Sequence, residues 1–178
     1  MKYLPLIFRK IRIPFRRKPH YIILHSAICA IHNPLTSLKI DNNKNQLNLL
    51  KYEYIYKDKH TNIPYHFLIE KINGDYETLL MTPLNEPIKE FNNLANNDRN
   101  IHVAIDGNFD YQLAIPRLYE VLAYRVLTPI MYLYSIPQSN ILFHSDLDKE
   151  QKDCPGQMFY KDILLQKIQK YQIISRTK

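Results

Sequence analysis

Tyr21-Ile22-Ile23-Leu24-His25 is the stretch that decides the fold: four consecutive apolar residues, three of them aromatic or β-branched, closed by a histidine. A run this short and this apolar predicts a buried strand. Ile141-Leu142-Phe143 repeats the pattern and also delivers a histidine, His144. Between them, Tyr65 to Lys71 and Tyr76 to Leu79 flank Asn73-Gly74, a dipeptide that predicts a hairpin. Ile101 to Ile105 runs mostly apolar into Asp106-Gly107-Asn108, a strand ended by a turn. A helix is expected from Pro116, with Leu118, Val121, Leu122, Tyr124 and Val126 as its apolar face and Pro129 as a kink or early stop. Pro155 is expected in the first turn of a closing helix whose apolar positions are Phe159, Ile163, Leu164, Ile168 and Tyr171. Residues 33–62 predict loop with a short helix or strand, and Pro83 to Asn100 an irregular connection. Strands interspersed with helices give the α/β class: a single domain with a central mixed β-sheet flanked by helices.

Composition agrees. The chain has 178 residues, 46% hydrophobic and 23% charged, enough for one core and incompatible with disorder or a collagen-like repeat. Two cysteines cannot staple a fold of this size, and no apolar run approaches the roughly 18 to 20 residues of a membrane span. A soluble domain of a reducing compartment is the expectation. There are only three glycines, Gly74, Gly107 and Gly156, where average usage would give roughly a dozen, so each is expected where the backbone demands it.

The net charge of +7 is concentrated at one end. Residues 1–20 carry Lys2, Arg9, Lys10, Arg12, Arg16, Arg17 and Lys18 and no acid, and the body from residue 21 onward is balanced, with 17 basic and 17 acidic groups. The expected organisation is therefore a basic N-terminal arm, 1–20, and a body, 21–178. The arm suits a nucleic acid, an acidic protein or an anionic surface, or is a solvated extension. Prolines at 5, 14 and 19 and the absence of serine make it a poor presequence helix, and the six residues Tyr3 to Phe8 are too few for a secretory signal.

His25, His144 and Cys154 are the candidate metal ligands. Two strands that each deliver a histidine, with a cysteine ten residues after the second, offer donors that suit zinc. Three protein ligands with a fourth position for water describe a catalytic rather than a closed site. A histidine at a strand end also serves as hydrogen-bonded scaffold. Cys29, four residues after His25, reads as a small buried apolar residue. His66 is expected on the strand face opposite Tyr65, in a packing role.

The segment His144-Ser-Asp-Leu-Asp-Lys-Glu-Gln-Lys152-Asp153-Cys154-Pro155-Gly156, with Ile-Leu-His25-Ser-Ala and Pro64-Tyr65-His66-Phe67, resembles the zinc-dependent N-acetylmuramoyl-L-alanine amidases of type 2. Short phage lysozyme-amidases and peptidoglycan recognition proteins belong to that family. Asn100-Ile-His-Val-Ala-Ile-Asp-Gly107-Asn108-Phe109 is similar to the family strand that ends in Gly-Asn-Phe. The resemblance covers residues 21–159 and implies an amidase/peptidoglycan-recognition-like fold. It implies His25, His144 and Cys154 as ligands of Zn2+, Tyr65 beside the zinc water, and Lys152 as the cation that stabilises the developing oxyanion. Without the resemblance, Tyr65 is one of 14 tyrosines and Lys152 a solvated loop charge. The sequence also departs from the pattern. Ala104 stands where some amidases carry a glutamate, His102 replaces the usual glycine, and Pro87-Ile-Lys-Glu-Phe91 replaces a glycan-stem contact.

The implied function is zinc-dependent hydrolysis of the amide between N-acetylmuramic acid and L-alanine in peptidoglycan. With no secretion signal read in the sequence, cytoplasmic synthesis with action at the cell wall after lysis or delivery is the expectation, an organellar or particle-bound location being the alternative. The rival function is a non-catalytic amidase-like subunit of a larger assembly, docked through the basic arm.

Overall fold

A computed structural model describes residues 18–27, 64–72, 74–84, 86–88, 99–148 and 153–176. The expectations for residues 33–62, for the arm up to residue 17, for Cys29 and for Lys152 lie outside them.

β1 (Tyr21–Ser26) runs one residue past His25, so the histidine is the penultimate residue of the strand rather than a loop residue. β2 (Phe67–Ile72) and β3 (Asp75–Leu80) form the antiparallel hairpin around Gly74, whose φ of 88° is one that L side chains rarely adopt. β4 (Asn100–Ile105) and β5 (Ile141–Phe143) complete a five-stranded sheet in the order β3-β2-β4-β1-β5, parallel at every pairing except β2 with β3. The expected mixed sheet is the observed one.

Two registers position everything that follows. Leu24 pairs with Phe143, so the next residues, His25 still within β1 and His144 just past the end of β5, lie at the same level. On the other side His25 pairs with Ala104. Because side chains alternate along a strand, Ile22 and Leu24 point to one face and Ile23 and His25 to the other. The same alternation in β4 sends Ile101, Val103 and Ile105 to the first face and His102 and Ala104 to the second.

The first face is apolar and joins the helices in one core cluster. α1 (Pro116–Val121), a π segment (Leu122–Leu127) and α2 (Thr128–Tyr134) run as one continuous helical stretch, and α3 (Lys161–Arg176) packs beside it. Pro129 was expected to kink or stop the first helix. It does neither, because the chain opens into a wide turn ahead of the proline, with the Thr128 N–H bonded five residues back to the Ala123 carbonyl. The wide turn rotates the apolar face, and Tyr124 emerges 38% exposed against Tyr171, while Leu122, Val126 and Leu127 are fully buried. Pro155 is also not where the sequence pointed. It follows a cis Cys154–Pro155 bond in a turn, and the closing helix begins six residues later, at Lys161. Phe159 therefore enters the core from the connection rather than from the helix, meeting Phe109 and Phe143 edge to face and Tyr119 at a tilt.

The last residues of the basic arm are part of the body. Pro19 is buried, the His20 N–H donates to the Arg99 carbonyl at 2.8 Å, and Asn140 Nδ2 donates to the His20 carbonyl at 3.0 Å.

Candidate metal centre

The second face of the sheet is buried too, but among its apolar residues, Ile23, Leu68 and Ala104, stand His25, His102 and Glu70, joined at the edges by His66 and His144. His25 is 1% exposed, His144 7% and Cys154 2%. One donor atom from each of these three lies within 4.8 Å of the others. Among the described residues no other set of three or more His, Cys, Asp or Glu converges in this way.

Each member is held by local structure. His25 is fixed by its place in β1. His144 opens a short 3-10 turn (His144–Asp146) directly after β5, and that turn is closed by the Phe143 N–H donating to Asp146 Oδ2 at 2.8 Å. Lys161 Nζ meets the same carboxylate oxygen at 2.6 Å, tying the start of α3 to the turn. Cys154 is drawn to His144 by the Ser145 N–H, which donates to the Cys154 carbonyl at 3.2 Å. Beyond the cysteine, the Met158 N–H donates to the Phe109 carbonyl at 2.7 Å and the Gln157 N–H to Asp110 Oδ1 at 3.3 Å, so the loop is zipped onto the turn after β4. Gly156 makes that approach possible. At φ 133°, a Cβ there would stand 2.5 Å from the Phe109 backbone carbon.

Burial sets the electrostatics. The pKa of His25 lies well below the ordinary histidine value, first through desolvation and then through the neighbouring His102 and His144. His144 is lowered by desolvation, partly offset by Asp148, whose Oδ2 is 3.9 Å from His144 Nε2. Both imidazoles are therefore neutral at neutral pH, the form in which a ring nitrogen donates to a metal. Two neutral imidazoles and a buried thiol are donors of the softness zinc prefers. In a tetrahedral zinc site such donors stand roughly 3.3 to 3.8 Å apart; here they lie within 4.8 Å of one another. The residues fit the ion.

Tyr65 is 1% exposed, with its ring 5.4 Å from that of His25, so four of the five sequence-derived site residues come together. The fifth, Lys152, lies outside the described residues. His66 was expected on the face opposite Tyr65, but both rings stand against the His25–His102 pair, because residues 65 and 66 precede β2 and escape its alternation. His66 packs there through polar contacts, its Nε2 meeting the Glu86 carbonyl at 2.9 Å and its Nδ1 accepting from the His102 N–H at 3.0 Å. The contact that sequence reasoning missed is His25 Nε2 to His102 Nδ1 at 3.0 Å. The signal for it was the histidine two residues before Ala104, on the same face, but using it requires knowing that β1 and β4 are neighbours.

A mixed α/β sheet with a buried His-His-Cys cluster where β1 and β5 end offers a set of donors suited to a metal ion. The sequence profile described as N-acetylmuramoyl-L-alanine amidase matches residues 15–157. The chain belongs to the N-acetylmuramoyl-L-alanine amidase family, and amide hydrolysis in peptidoglycan is the activity that membership assigns. No curated protein sequence matches the chain. Among solved structures, it is similar to the endolysin amidase LysCS from Clostridium intestinale, with 21% identity, a TM-score of 0.60, and coverage of 89% of this chain and 93% of that one. The amidase AmiD from E. coli, solved with an anhydro-N-acetylmuramic acid peptide, matches at 18% identity and TM-score 0.59, over 89% of this chain and 60% of that one. The Drosophila peptidoglycan recognition protein SD matches at 17% identity and TM-score 0.56, over 84% and 81%. At such identities these likenesses speak for the fold.

Proposed function

We propose that this protein is a zinc amidase that cleaves the bond between the lactyl carbonyl of N-acetylmuramic acid and the amino group of L-alanine, with His25, His144 and Cys154 as the zinc ligands. The observation that carries the reading is the convergence of these three buried donors, one from each of three chain segments, at the end of the parallel strands. Zinc bound there would acidify a water and polarise the amide carbonyl. The remaining steps fall to the chain. Tyr65, beside His25, orients or deprotonates the attacking water. The Lys152 ammonium offsets the negative charge that gathers on the carbonyl oxygen in the transition state. The C–O bond forms, the C–N bond breaks, and the leaving nitrogen takes up the proton that water gave up. Neither Tyr65 nor Lys152 is assigned as a ligand, so their loss is expected to slow turnover and spare metal.

The test is digestion of purified peptidoglycan. The expected product is stem peptide with a free L-alanine amino group, formed by the untreated protein, abolished by a chelator and restored by zinc. Release of reducing sugar ends without free alanine termini would contradict the reading.

One observation favours a second reading, a subunit that binds peptidoglycan without cleaving it. Ala104 pairs with His25 and presents only a methyl group where some amidases have a carboxylate. On that reading the zinc-loaded protein pulls down peptidoglycan and releases nothing, and the basic arm supplies the docking contact to an acidic or anionic partner, weakening as salt rises. Action at the cell wall after lysis or delivery suits the first reading.

A further inference from the structure

His66, His102 and His25 form a file of three imidazoles whose partners fix where the protons sit. The Glu86 carbonyl can only accept, so His66 Nε2 carries the hydrogen of the 2.9 Å contact. The His102 backbone N–H can only donate, so His66 Nδ1 is bare. His66 is thus locked in one neutral tautomer and clamps the β4 backbone at His102. The His102 ring then meets His25 Nε2 through Nδ1 at 3.0 Å, and one hydrogen lies between the two nitrogens.

If that hydrogen belongs to His102, His25 carries its own on Nδ1 and aims a proton at the ligand cluster. If it belongs to His25, Nδ1 is the bare nitrogen. Only the second arrangement is compatible with His25 as a ligand, since Nε2 is engaged by His102.

We propose that His102 is a positioning residue: its Nδ1 accepts the Nε2–H of His25, holds that ring in the tautomer with a bare Nδ1, and so presents Nδ1 to zinc. A ligating histidine ordinarily makes this bond to a carboxylate or a backbone carbonyl. Here an imidazole takes the place, on a residue whose backbone N–H is held by His66. The geometry follows from the sheet, because His102 pairs with Ile23, two residues before His25, and shares its face. The inference rests on the zinc reading of His25, His144 and Cys154.

The experiment compares zinc affinity, by competition with a chelating dye, in the wild-type protein, His102→Leu and His102→Asn, alongside the nitrogen NMR of histidine in the zinc-free wild-type protein. Asparagine offers an acceptor oxygen near the Nδ1 position, and leucine offers none. The expected result is a loss of affinity of roughly 10- to 100-fold in His102→Leu, recovery of most of it in His102→Asn, and a His25 ring protonated at Nε2. Equal affinities in all three proteins, or a His25 ring protonated at Nδ1, would overturn the assignment while leaving the zinc site standing. A wild-type protein that takes up no zinc would remove the zinc reading and this inference with it. Should His102→Leu fail to fold, the NMR spectrum of the wild-type protein still decides the tautomer.

Discussion

Both faces of the sheet are buried, but only one of them carries a cluster of polar side chains among its apolar ones. On one, Ile22, Leu24, Ile101 and Val103 meet the helices with no polar atom to satisfy; on the other, His25, His102, His66 and Glu70 are packed just as tightly. Apolar burial stabilises, by roughly 1.5 to 3 kcal/mol per large side chain. Buried imidazoles give no such return and destabilise unless each nitrogen is matched. Both nitrogens of His66 are matched, by the Glu86 carbonyl and the His102 backbone N–H, and His25 Nε2 and His102 Nδ1 match one another. The difference teaches that one face makes the domain fold and the other makes it act, and substitutions should divide accordingly.

Replacing His25 or Cys154 by alanine should have the largest effect. Loss of a ligand removes metal activation worth several kcal/mol, on the order of a thousandfold or more in turnover, while circular dichroism remains that of the folded domain. Unfolding of both variants would break the division, since it would make the second face structural. Leu24→Ala, one residue before His25 but on the other face, should lose about 2 to 5 kcal/mol in urea unfolding. Turnover per folded molecule should be nearly unchanged.

Acid should act on the second face selectively. His66 has its pKa lowered to about 4 by burial, and those of His25, His102 and His144 are lowered in the same sense. A histidine that resists protonation when folded contributes full stability above about 6.5 and loses it as the pH falls toward its folded value. His66 alone should cost the zinc-free protein about 2 kcal/mol between pH 7 and pH 5. Asp106 works in the opposite direction, because burial lifts its carboxyl to about 6 and its protonation in the fold recovers about 1 kcal/mol over the same range. Four imidazoles against one carboxyl leave a net loss, measurable by urea unfolding at the two pH values. A zinc-free protein as stable at pH 5 as at pH 7 would mean that the imidazoles are not held neutral.

The smallest expected effect is that of Tyr65→Phe, which keeps the ring against His25 and removes only the hydroxyl. Turnover should fall by about 10- to 100-fold with zinc content unchanged. Unaltered turnover would take Tyr65 out of the mechanism and leave it as packing.

The sheet was legible in the sequence because β1, β4 and β5 are short and mostly apolar and the hairpin of β2 and β3 is marked by the Asn73-Gly74 signal between them. His25 and His144 were legible as strand-borne histidines, and Cys154 through its surroundings and the family resemblance. What stayed hidden depends on pairing or on helix geometry. The His25–His102 bond needs the β1–β4 register, which no local pattern encodes. Pro129 looked like a stop because the rule assumes an α-helix, and the π segment before it suspends that rule. Pro155 looked like a helix start, but the Cys154 loop must first reach His144 and then zip onto Phe109, which delays the helix to Lys161.

The central claim is that the polar face ends in a zinc site, and X-ray absorption at the zinc edge on stoichiometrically analysed protein tests it most directly. The account predicts about one zinc per chain, with a sulfur neighbour at about 2.3 Å and nitrogen neighbours at about 2.0 to 2.1 Å, the sulfur lost in Cys154→Ala. A protein that binds no zinc, or zinc whose sulfur neighbour persists without Cys154, would contradict it.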